Sequence, residues 1–314
     1  MIKKIRENWI ACIFILFAIS LIVFSKSNIP AAKEGIDLWV SSVIPALFPF
    51  FVATELLSHT NIISFIGKLF NKFMRPIFNV PGEGAYALVM GIISGYPVGA
   101  KIVTNFRLQG VCNKVEAERL LTFTNNSGPL FILGTVGISL FRDTTTGIVL
   151  LITHILSCIT VGIIFRFWKI SKNYNYEVKQ LDNKNKITDI NTPVKLSNLG
   201  EIISTSIHNA IITTVQIGGF VILFSVIISI LKNSSILGSL STLLSPIFNL
   251  FHIPSDFING FISGIIELTN GVKNICSITF KEISVNIILV SFLLGFGGFS
   301  VLLQVNFIFV NMNL

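Results

Sequence analysis

Two short stretches of the chain combine polar side chains with residues that interrupt a helix. Their members are Asn125, Asn126, Ser127, Gly128 and Pro129 in the first stretch, and Glu267, Thr269, Asn270 and Gly271 in the second. Carboxylate, amide and hydroxyl groups suit a small polar solute or a coupling cation. The alternative is that the glycines serve close helix packing and the amides tie helices together.

Glycines also break other apolar runs, and these breaks supply further candidate ligand-binding residues: Gly95, Tyr96, Pro97, Gly99 and Lys101, and later Gly297, Gly298 and Gln304. A helix that stops inside a membrane leaves unpaired N–H or C=O groups, which are tolerated where they face a ligand, an ion or water. For Lys101 alone, contact with a lipid headgroup is an equal alternative.

The remaining reactive residues favour neither catalysis nor a metal site. The four cysteines and four histidines are scattered along the sequence, without zinc-like or CxxC spacing. No HExxH or GxSxG motif occurs. The sequence therefore predicts no enzyme, no catalytic residue, no metal site and no cofactor.

Composition indicates which elements must position the candidates. The chain has 314 residues, of which 52% are hydrophobic and only 12% are charged, whereas soluble domains carry about 25% charged residues. Long uncharged runs include 120–141, 144–165, 202–231 and 283–314, each able to cross a bilayer. The net charge of +8 comes from basic residues at the ends of such runs, so we expect a lipid bilayer and no nucleic acid as a partner.

An internal repeat divides the chain. Pro76-Ile77-Phe78-Asn79 recurs as Pro246-Ile247-Phe248-Asn249, and shorter echoes pair Ser94-Gly95 with Ser263-Gly264, Ser127-Gly128 with Gly297-Gly298, and Gly99-Ala100-Lys101 with Gly271-Val272-Lys273. The predicted organisation is an N-terminal membrane helix with a short external loop (1–35), a first repeat (36–168), a polar cytoplasmic linker (169–200) and a second repeat (201–314).

Charge then predicts orientation. Cytoplasmic loops carry the excess of Lys and Arg, which places the basic N-terminus, Lys68, Lys72, Arg75 and the linker inside. The matching amphipathic stretch 235–251 contains no Lys or Arg, so we expect it outside. The predicted fold is an all-α polytopic membrane protein with two inverted-topology repeats, broken or re-entrant helices and interfacial amphipathic helices, which is typical of secondary transporters.

Two expectations follow from the repeat. The breaks at 125–129 and 295–298 should meet near the bilayer midplane, facing 95–99 and 267–271. The second repeat should lack the counterpart of the helix at 147–168, so that a partner membrane protein or a homo-oligomer contact fills the gap, unless the reading frame is truncated.

Three motifs resemble the nucleoside-recognition (Gate) domain family and, within it, sporulation integral membrane proteins of endospore-forming bacteria. They are the runs 91–101 (GIISGYPVGAK), 124–129 (TNNSGP) and 295–305 (GFGGFSVLLQV). The resemblance implies a multi-pass protein of the mother-cell or forespore membrane that moves or senses a small polar, nucleoside-like solute during spore formation and cortex maturation. The alternative is a non-transporting membrane scaffold or sensor required for sporulation.

Overall fold

The computed structural model describes residues 9–169, 198–278 and 283–310, which fold almost entirely into helices. In chain order the α-helices are α1 (Trp9–Val23), α2 (Ser25–Leu38), α3 (Ile44–Ser58), α4 (Ile62–Phe78), α5 (Gly84–Ser94), α6 (Val98–Leu108), α7 (Lys114–Thr124), α8 (Thr144–Phe165), α9 (Leu199–Asn233), α10 (Ile236–Leu250), α11 (Asp256–Ile266), α12 (Leu268–Cys276), α13 (Ile283–Phe296) and α14 (Gly298–Val310). Two π-helical segments, Trp39–Val43 and Leu130–Phe141, precede α3 and α8. The described residues contain no β-strand, which confirms the all-helical prediction. Nearly all of the predicted linker lies outside them.

The N-terminal helix is followed by a second helix. No side chain of α1 is buried, and the chain bends by 98° between α1 and the segment Ser25–Val43. The short external loop predicted up to residue 35 is therefore wrong, since this stretch belongs to α2. Packing explains the difference: Asn28 Nδ2 donates to the Ser20 carbonyl at 3.3 Å, and Gly35 lies so close to Ser225 that an added Cβ would be 2.9 Å from its hydroxyl.

Proline modifies the next helical stretch without ending it. Pro45 and Pro49 both lie within α3, directly after the π-helical segment. A proline has no N–H to donate and its ring crowds the carbonyl four residues earlier. The wider π-turn relieves this crowding, so α2, Trp39–Val43 and α3 follow one another without a loop.

Few single helices are long enough to cross a membrane. Among the described residues, Thr144–Phe165, Leu199–Asn233 and Ser284–Asn306 are long and apolar enough, and the bent pair at the N-terminus is a fourth candidate. The run 120–141, expected as one interrupted span, instead divides between α7 and Leu130–Phe141. Its polar break separates two helices that are each too short to span alone.

The helix α9 packs antiparallel to the line formed by α2 and α3. Ser229, near the end of α9, donates to the Ser27 carbonyl at 3.4 Å. Asn209, near its beginning, donates to Glu55 Oε2 at 3.3 Å. The end of α9 thus contacts the beginning of α2, and the beginning of α9 contacts the end of α3, so that the two run in opposite directions.

Two hydrophobic clusters form the core, and each takes residues from both halves of the chain. The first lies mostly in α3–α7 but includes Ala210 and Ile217 of α9. The second lies mostly in α10–α13 but includes Phe131, Ile132 and Val136. Each half of the chain therefore contributes side chains to the hydrophobic cluster of the other half.

Large apolar side chains on α4 remain exposed beside basic ones. Phe65, Leu69 and Phe73 are exposed, and Lys68 and Lys72 are exposed on the same helix. This is the surface expected of a helix at a membrane interface.

Candidate functional site

Helices are interrupted at four places, and the predicted candidates lie at these interruptions. α5 ends at Ser94 and α6 begins at Val98, while α7 ends at Thr124 and Leu130–Phe141 follows. Glu267 separates α11 from α12, and Gly297 separates α13 from α14. The interruptions predicted at Gly95–Pro97, Gly128-Pro129 and Gly297-Gly298 are thus present. The one predicted at Asn270-Gly271 is wrong, because both residues lie inside α12 and the extended backbone of Glu267 makes the break instead.

Glycine is required where the interruptions touch. Gly95, Gly297 and Gly298 have φ of 80°, 80° and 84°, a region that side chains with a Cβ rarely adopt. A Cβ on Gly95 would lie 2.9 Å from the backbone nitrogen of Gly128, and one on Gly298 would lie 3.2 Å from that of Leu268. The interruption at Gly95 therefore contacts the one at Gly128, and the interruption at Glu267 contacts the one at Gly297-Gly298.

A small cavity lies between three of the interruptions and the first part of α14, and we call it the central cavity. Its volume is about 50 Å³. It is lined by Val43, Leu47, Gly95, Tyr96, Gly128, Phe131, Ile217, Val221, Glu267, Leu268, Thr269, Ser300, Val301 and Gln304. Six of the predicted site residues (Gly95, Tyr96, Gly128, Glu267, Thr269 and Gln304) are therefore brought together there.

Glu267 is buried at this cavity and caps the helix after it. Its side chain is 3% exposed. Its carboxylate accepts hydrogen bonds from the backbone N–H groups of Thr269 at 3.0 Å and Asn270 at 2.8 Å. An anion at the N-terminus of α12 is stabilised by the unpaired N–H groups of the first turn. The carboxylate is thereby held in a fixed orientation.

Asn270 connects Glu267 to a larger polar cavity. Its Nδ2 donates to Glu267 Oε2 and to Ser225 Oγ, both at 2.9 Å. Asn270 and Ser225 line an open cavity of about 720 Å³ with Ser229, Lys232 and Asn274, which we call the vestibule. The vestibule is therefore separated from Glu267 by one side chain.

Lys101 lies apart from the central cavity, in a second small cavity. Its Nζ donates to Glu55 Oε1 and to Thr213 Oγ1, both at 3.0 Å. This cavity has a volume of about 40 Å³ and is also lined by Thr54, Ser58 and Ile102; we call it the closed cavity. The amine of Lys101 thus has protein partners, as an alternative to the lipid contact considered from sequence.

The second interruption is held in shape by helix α8. The backbone N–H of Ser127 donates to His154 Nε2 at 3.1 Å, and the Cys158 thiol donates to Asn126 Oδ1 at 2.7 Å. Ser127 Oγ donates to the Tyr96 hydroxyl at 3.2 Å. Sequence reasoning missed His154 and Cys158 as positioning residues, although their spacing of four places both on one face of an apolar helix.

The other predicted site residues serve packing and chain direction around the cavity. Gly99 lies against the carbonyl of Thr124, where a Cβ would be 1.9 Å from the oxygen, and Gly271 lies against Gly264, where it would be 2.0 Å from Cα. Pro97 and Pro129 precede the first residues of α6 and of Leu130–Phe141. Asn125, Asn126, Ser127, Pro129 and Gly297 build the interruptions without lining the central cavity.

One sequence pairing is wrong in register. Ser263 and Gly264 lie inside α11, so they do not correspond to Ser94 and Gly95 at the end of α5. Glu267, rather than Gly264, follows the last residue of its helix as Gly95 does. Gly264 was matched because both glycines follow a serine, but it serves the close contact with Gly271.

A metal centre built on three or more His, Cys, Asp or Glu side chains is absent from residues 9–169, 198–278 and 283–310. Groups that could hold a bound species at the central cavity are instead one carboxylate, one amide and hydroxyls. Such a set binds through oxygen and hydrogen bonds.

Comparisons with known proteins agree with this architecture. Residues 40–170 and 214–311 match the family described as nucleoside recognition, or Gate. The chain is 36% identical over 310 residues to the Bacillus subtilis (strain 168) protein named sporulation integral membrane protein YlbJ, covering 97% of this chain and 76% of that protein. No solved structure matches. With its apolar helices and this relationship, the chain is a multi-pass integral membrane protein and belongs to the nucleoside-recognition (Gate) family.

Proposed function

We propose that this protein is a permease-like carrier that moves a small polar solute across a membrane during spore formation. The observation that carries the proposal is the pair of access cavities on either side of the central cavity. One is the open vestibule of about 720 Å³ and the other is the closed cavity of about 40 Å³. A carrier in one of its two access states has this arrangement.

Corresponding positions line the two access cavities. Glu55 and Ser58 of the closed cavity lie 174 positions before Ser229 and Lys232 of the vestibule. Ile102 of the closed cavity lies 172 positions before Asn274 of the vestibule. Residues that are equivalent by repeat thus face a closed space in one half and an open space in the other.

The central cavity is paired in the same way. Val43 and Leu47 lie 174 positions before Ile217 and Val221, and all four line it. The antiparallel packing of α9 against α2 and α3 supports inverted topology, because the first helices of two inverted repeats must run in opposite directions. A ligand site between such repeats can face either side by exchange of their conformations.

Charge supports the orientation of the carrier. We propose that the basic linker is cytoplasmic, so that α9 begins inside and ends outside. The vestibule, which lies near Ser225, Ser229 and Lys232 in the last part of α9, then opens to the exterior. The ion pair of Lys101 and Glu55 then closes the cytoplasmic route.

Volumes bear on the solute. Pockets for drug-sized ligands measure about 300–1,000 Å³, so the vestibule is in this range and the central cavity of about 50 Å³ is far below it. A nucleoside-like solute therefore fits the vestibule in this conformation. It reaches the central position only if the interruptions move apart.

The test is flux into proteoliposomes that contain the purified full-length chain, with nucleosides and other small polar solutes offered in turn. Saturable uptake that falls at least tenfold in Glu267→Ala and Asn125→Ala supports the proposal. Folded protein that neither binds nor moves any of the solutes overturns it.

A second candidate is a non-transporting scaffold or sensor required for sporulation. The relative's name refers to sporulation and an integral membrane location, with no transported solute. Heat-resistant spore counts in a deletion strain distinguish the candidates. Complementation by Glu267→Ala and Asn125→Ala at normal expression favours the scaffold, whereas loss of spores with both variants present in the membrane favours the carrier. In both cases we propose no catalytic activity.

A further inference from the structure

We infer that a small, hard monovalent cation of about the size of Na⁺ binds in the central cavity, between the carboxylate of Glu267 and the side-chain carbonyl of Gln304. This deepens the proposed function by naming an ion for the same site, and it rests on that function only for the ion's role in transport. Binding itself is measurable without any flux.

Gln304 supplies the first observation. Its side chain is 6% exposed, it lines the central cavity, and its Oε1 has no hydrogen-bond partner. A buried carbonyl oxygen is costly unless a donor or a cation approaches it. Carbonyl oxygens are also acceptors only, so the missing partner must carry positive charge or a proton.

Glu267 supplies the second. It is 3% exposed and lines the same cavity, and the described ion pairs do not include it. A buried carboxylate needs a counter-charge or a proton. A proton on Glu267, donated to Gln304 Oε1, is the competing way to satisfy the two acceptors. The two occupants differ in their response to Na⁺ at constant pH, which the test below measures.

The surroundings select the class of cation. The hydroxyl-bearing Thr269 and Ser300 line the cavity, so the available ligands are oxygen atoms, which hard cations prefer. A single carboxylate matches a single positive charge. The volume of about 50 Å³ has room for an ion with a small number of waters, whereas pockets for drug-sized ligands measure about 300–1,000 Å³.

A polar route reaches this position. The vestibule is lined by Asn270, whose side chain contacts Glu267. Hydroxyl groups of Ser225 and Ser229 and the carboxylate of Asp256 also face the vestibule. A hydrated cation can therefore approach Glu267 through polar surroundings and lose its water only at the end.

The test is thermal unfolding of the purified full-length chain in detergent at constant ionic strength, with NaCl replaced stepwise by choline chloride. We expect Na⁺ to raise the unfolding midpoint by about 3 °C, saturably, at both pH 6 and pH 8. Absence of a Na⁺-dependent shift, or a shift that follows pH alone, overturns the inference.

Two variants separate ion binding from structure. Glu267→Gln keeps the shape of the helix cap and should abolish the Na⁺ shift. Asp143→Asn is its matched control, because Asp143 caps α8 in the same way, by accepting from the N–H groups of Thr145 and Thr146, but lies outside the cavity. The control should keep the full shift, and its loss in both variants contradicts the assignment.

Gln304→Met guards against misfolding of the Glu267 variant. If Gln304 binds the ion, this change removes the Na⁺ shift while leaving the midpoint in choline unchanged or higher, because the unpaired acceptor is gone. A Na⁺ shift that survives the change refutes the role of Gln304. A Na⁺ shift without any solute flux overturns the carrier proposal alone, and flux without the shift overturns this inference alone.

Discussion

Neutralising Glu55 should open the closed cavity. Lys101 Nζ lies 3.0 Å from Glu55 Oε1, and Asn209 and Thr213 of α9 complete the cluster. The cluster joins α3, α6 and α9 where the closed cavity lies. Glu55→Gln keeps the size of the side chain and its amide can still contact Asn209, so the change removes mainly the charge.

The magnitude follows from the exposure of the pair. The side chains of Lys101 and Glu55 are 33% and 22% exposed, between the surface case, worth about 0–1 kcal/mol, and the buried case, where breaking a pair costs about 3–5 kcal/mol. We therefore expect a loss of about 1–2 kcal/mol from the closed state. This corresponds to a shift of about 5–30-fold in the equilibrium between the two access states.

Cysteine labelling reads out that shift at two equivalent positions. Ile102→Cys reports on the closed cavity and Asn274→Cys on the vestibule, in a chain whose partly exposed Cys12 and Cys276 are replaced by serine. In Glu55→Gln the labelling rate should rise by about 5–30-fold at position 102 and fall at position 274.

The control is an exposed ion pair on the open side. Lys273 Nζ lies 2.6 Å from Glu34 Oε1, and the two side chains are 41% and 59% exposed. Glu34→Gln should change both rates less than about twofold, because exposed pairs contribute little. Equal increases at positions 102 and 274 in Glu55→Gln would mean general loosening and would refute the gating argument, as would no change at 102.

Three further predictions concern the frame of the site. Gly271→Ala should lower the free energy of unfolding by about 2–3 kcal/mol or prevent folding, because its Cβ would lie 2.0 Å from the backbone of the neighbouring helix. The control is Gly219→Ala, whose Cβ would have nothing within 4 Å. It should be neutral in the same unfolding assay. His154→Leu should lower the free energy of unfolding by about 1–3 kcal/mol, because it leaves the N–H of Ser127 unpaired. In thermal melts, His154→Gln should recover part of this loss. Equal unfolding midpoints for the two variants would contradict the hydrogen bond. The hydroxyl and N–H donors of the first turn of α8 lower the pKa of Asp143. The helix cap is therefore fully effective above the ordinary aspartate pKa of about 3.9, and it is lost as pH falls through the lowered pKa. Hydrogen exchange in that turn should accelerate over this pH range, and Asp143→Asn should remove the acceleration.

The sequence was most informative where backbone geometry demands glycine or proline. Gly95, Gly128, Gly297 and Gly298 each occur at or beside a helix end. Gly95 and Gly298 combine a positive φ with a close backbone contact, which only glycine permits. The repeat predicted that the interruptions meet, and Gly95, Gly128 and Glu267 of three of them line one cavity. Their depth in a bilayer stays a prediction.

Partnerships across the fold could not be predicted, because they depend on packing between distant helices. Lys101 contacts Glu55 and Thr213, which are 46 and 112 positions away. In the sequence His154 is an isolated polar residue, whereas in the fold α8 places it beside the backbone N–H of Ser127. The π-helical segment before Pro45 also left no periodic signal, since five residues of apolar sequence fit either helix.

Differences between the repeats indicate where specificity arises. In the predicted repeat, Gly95 lies 172 positions before Glu267, and Phe131 lies 170 positions before Val301; all four line the central cavity. Other lining positions carry similar side chains in both halves; Val43 and Ile217, for example, are both aliphatic. In the proposed carrier the divergence thus falls at the proposed ligand groups, so that the second half supplies the charge and the first half supplies shape. An asymmetric ligand site between two related halves needs this distribution, because a charge in both halves would place two carboxylates around a cavity of about 50 Å³, where their repulsion would demand a second counter-ion.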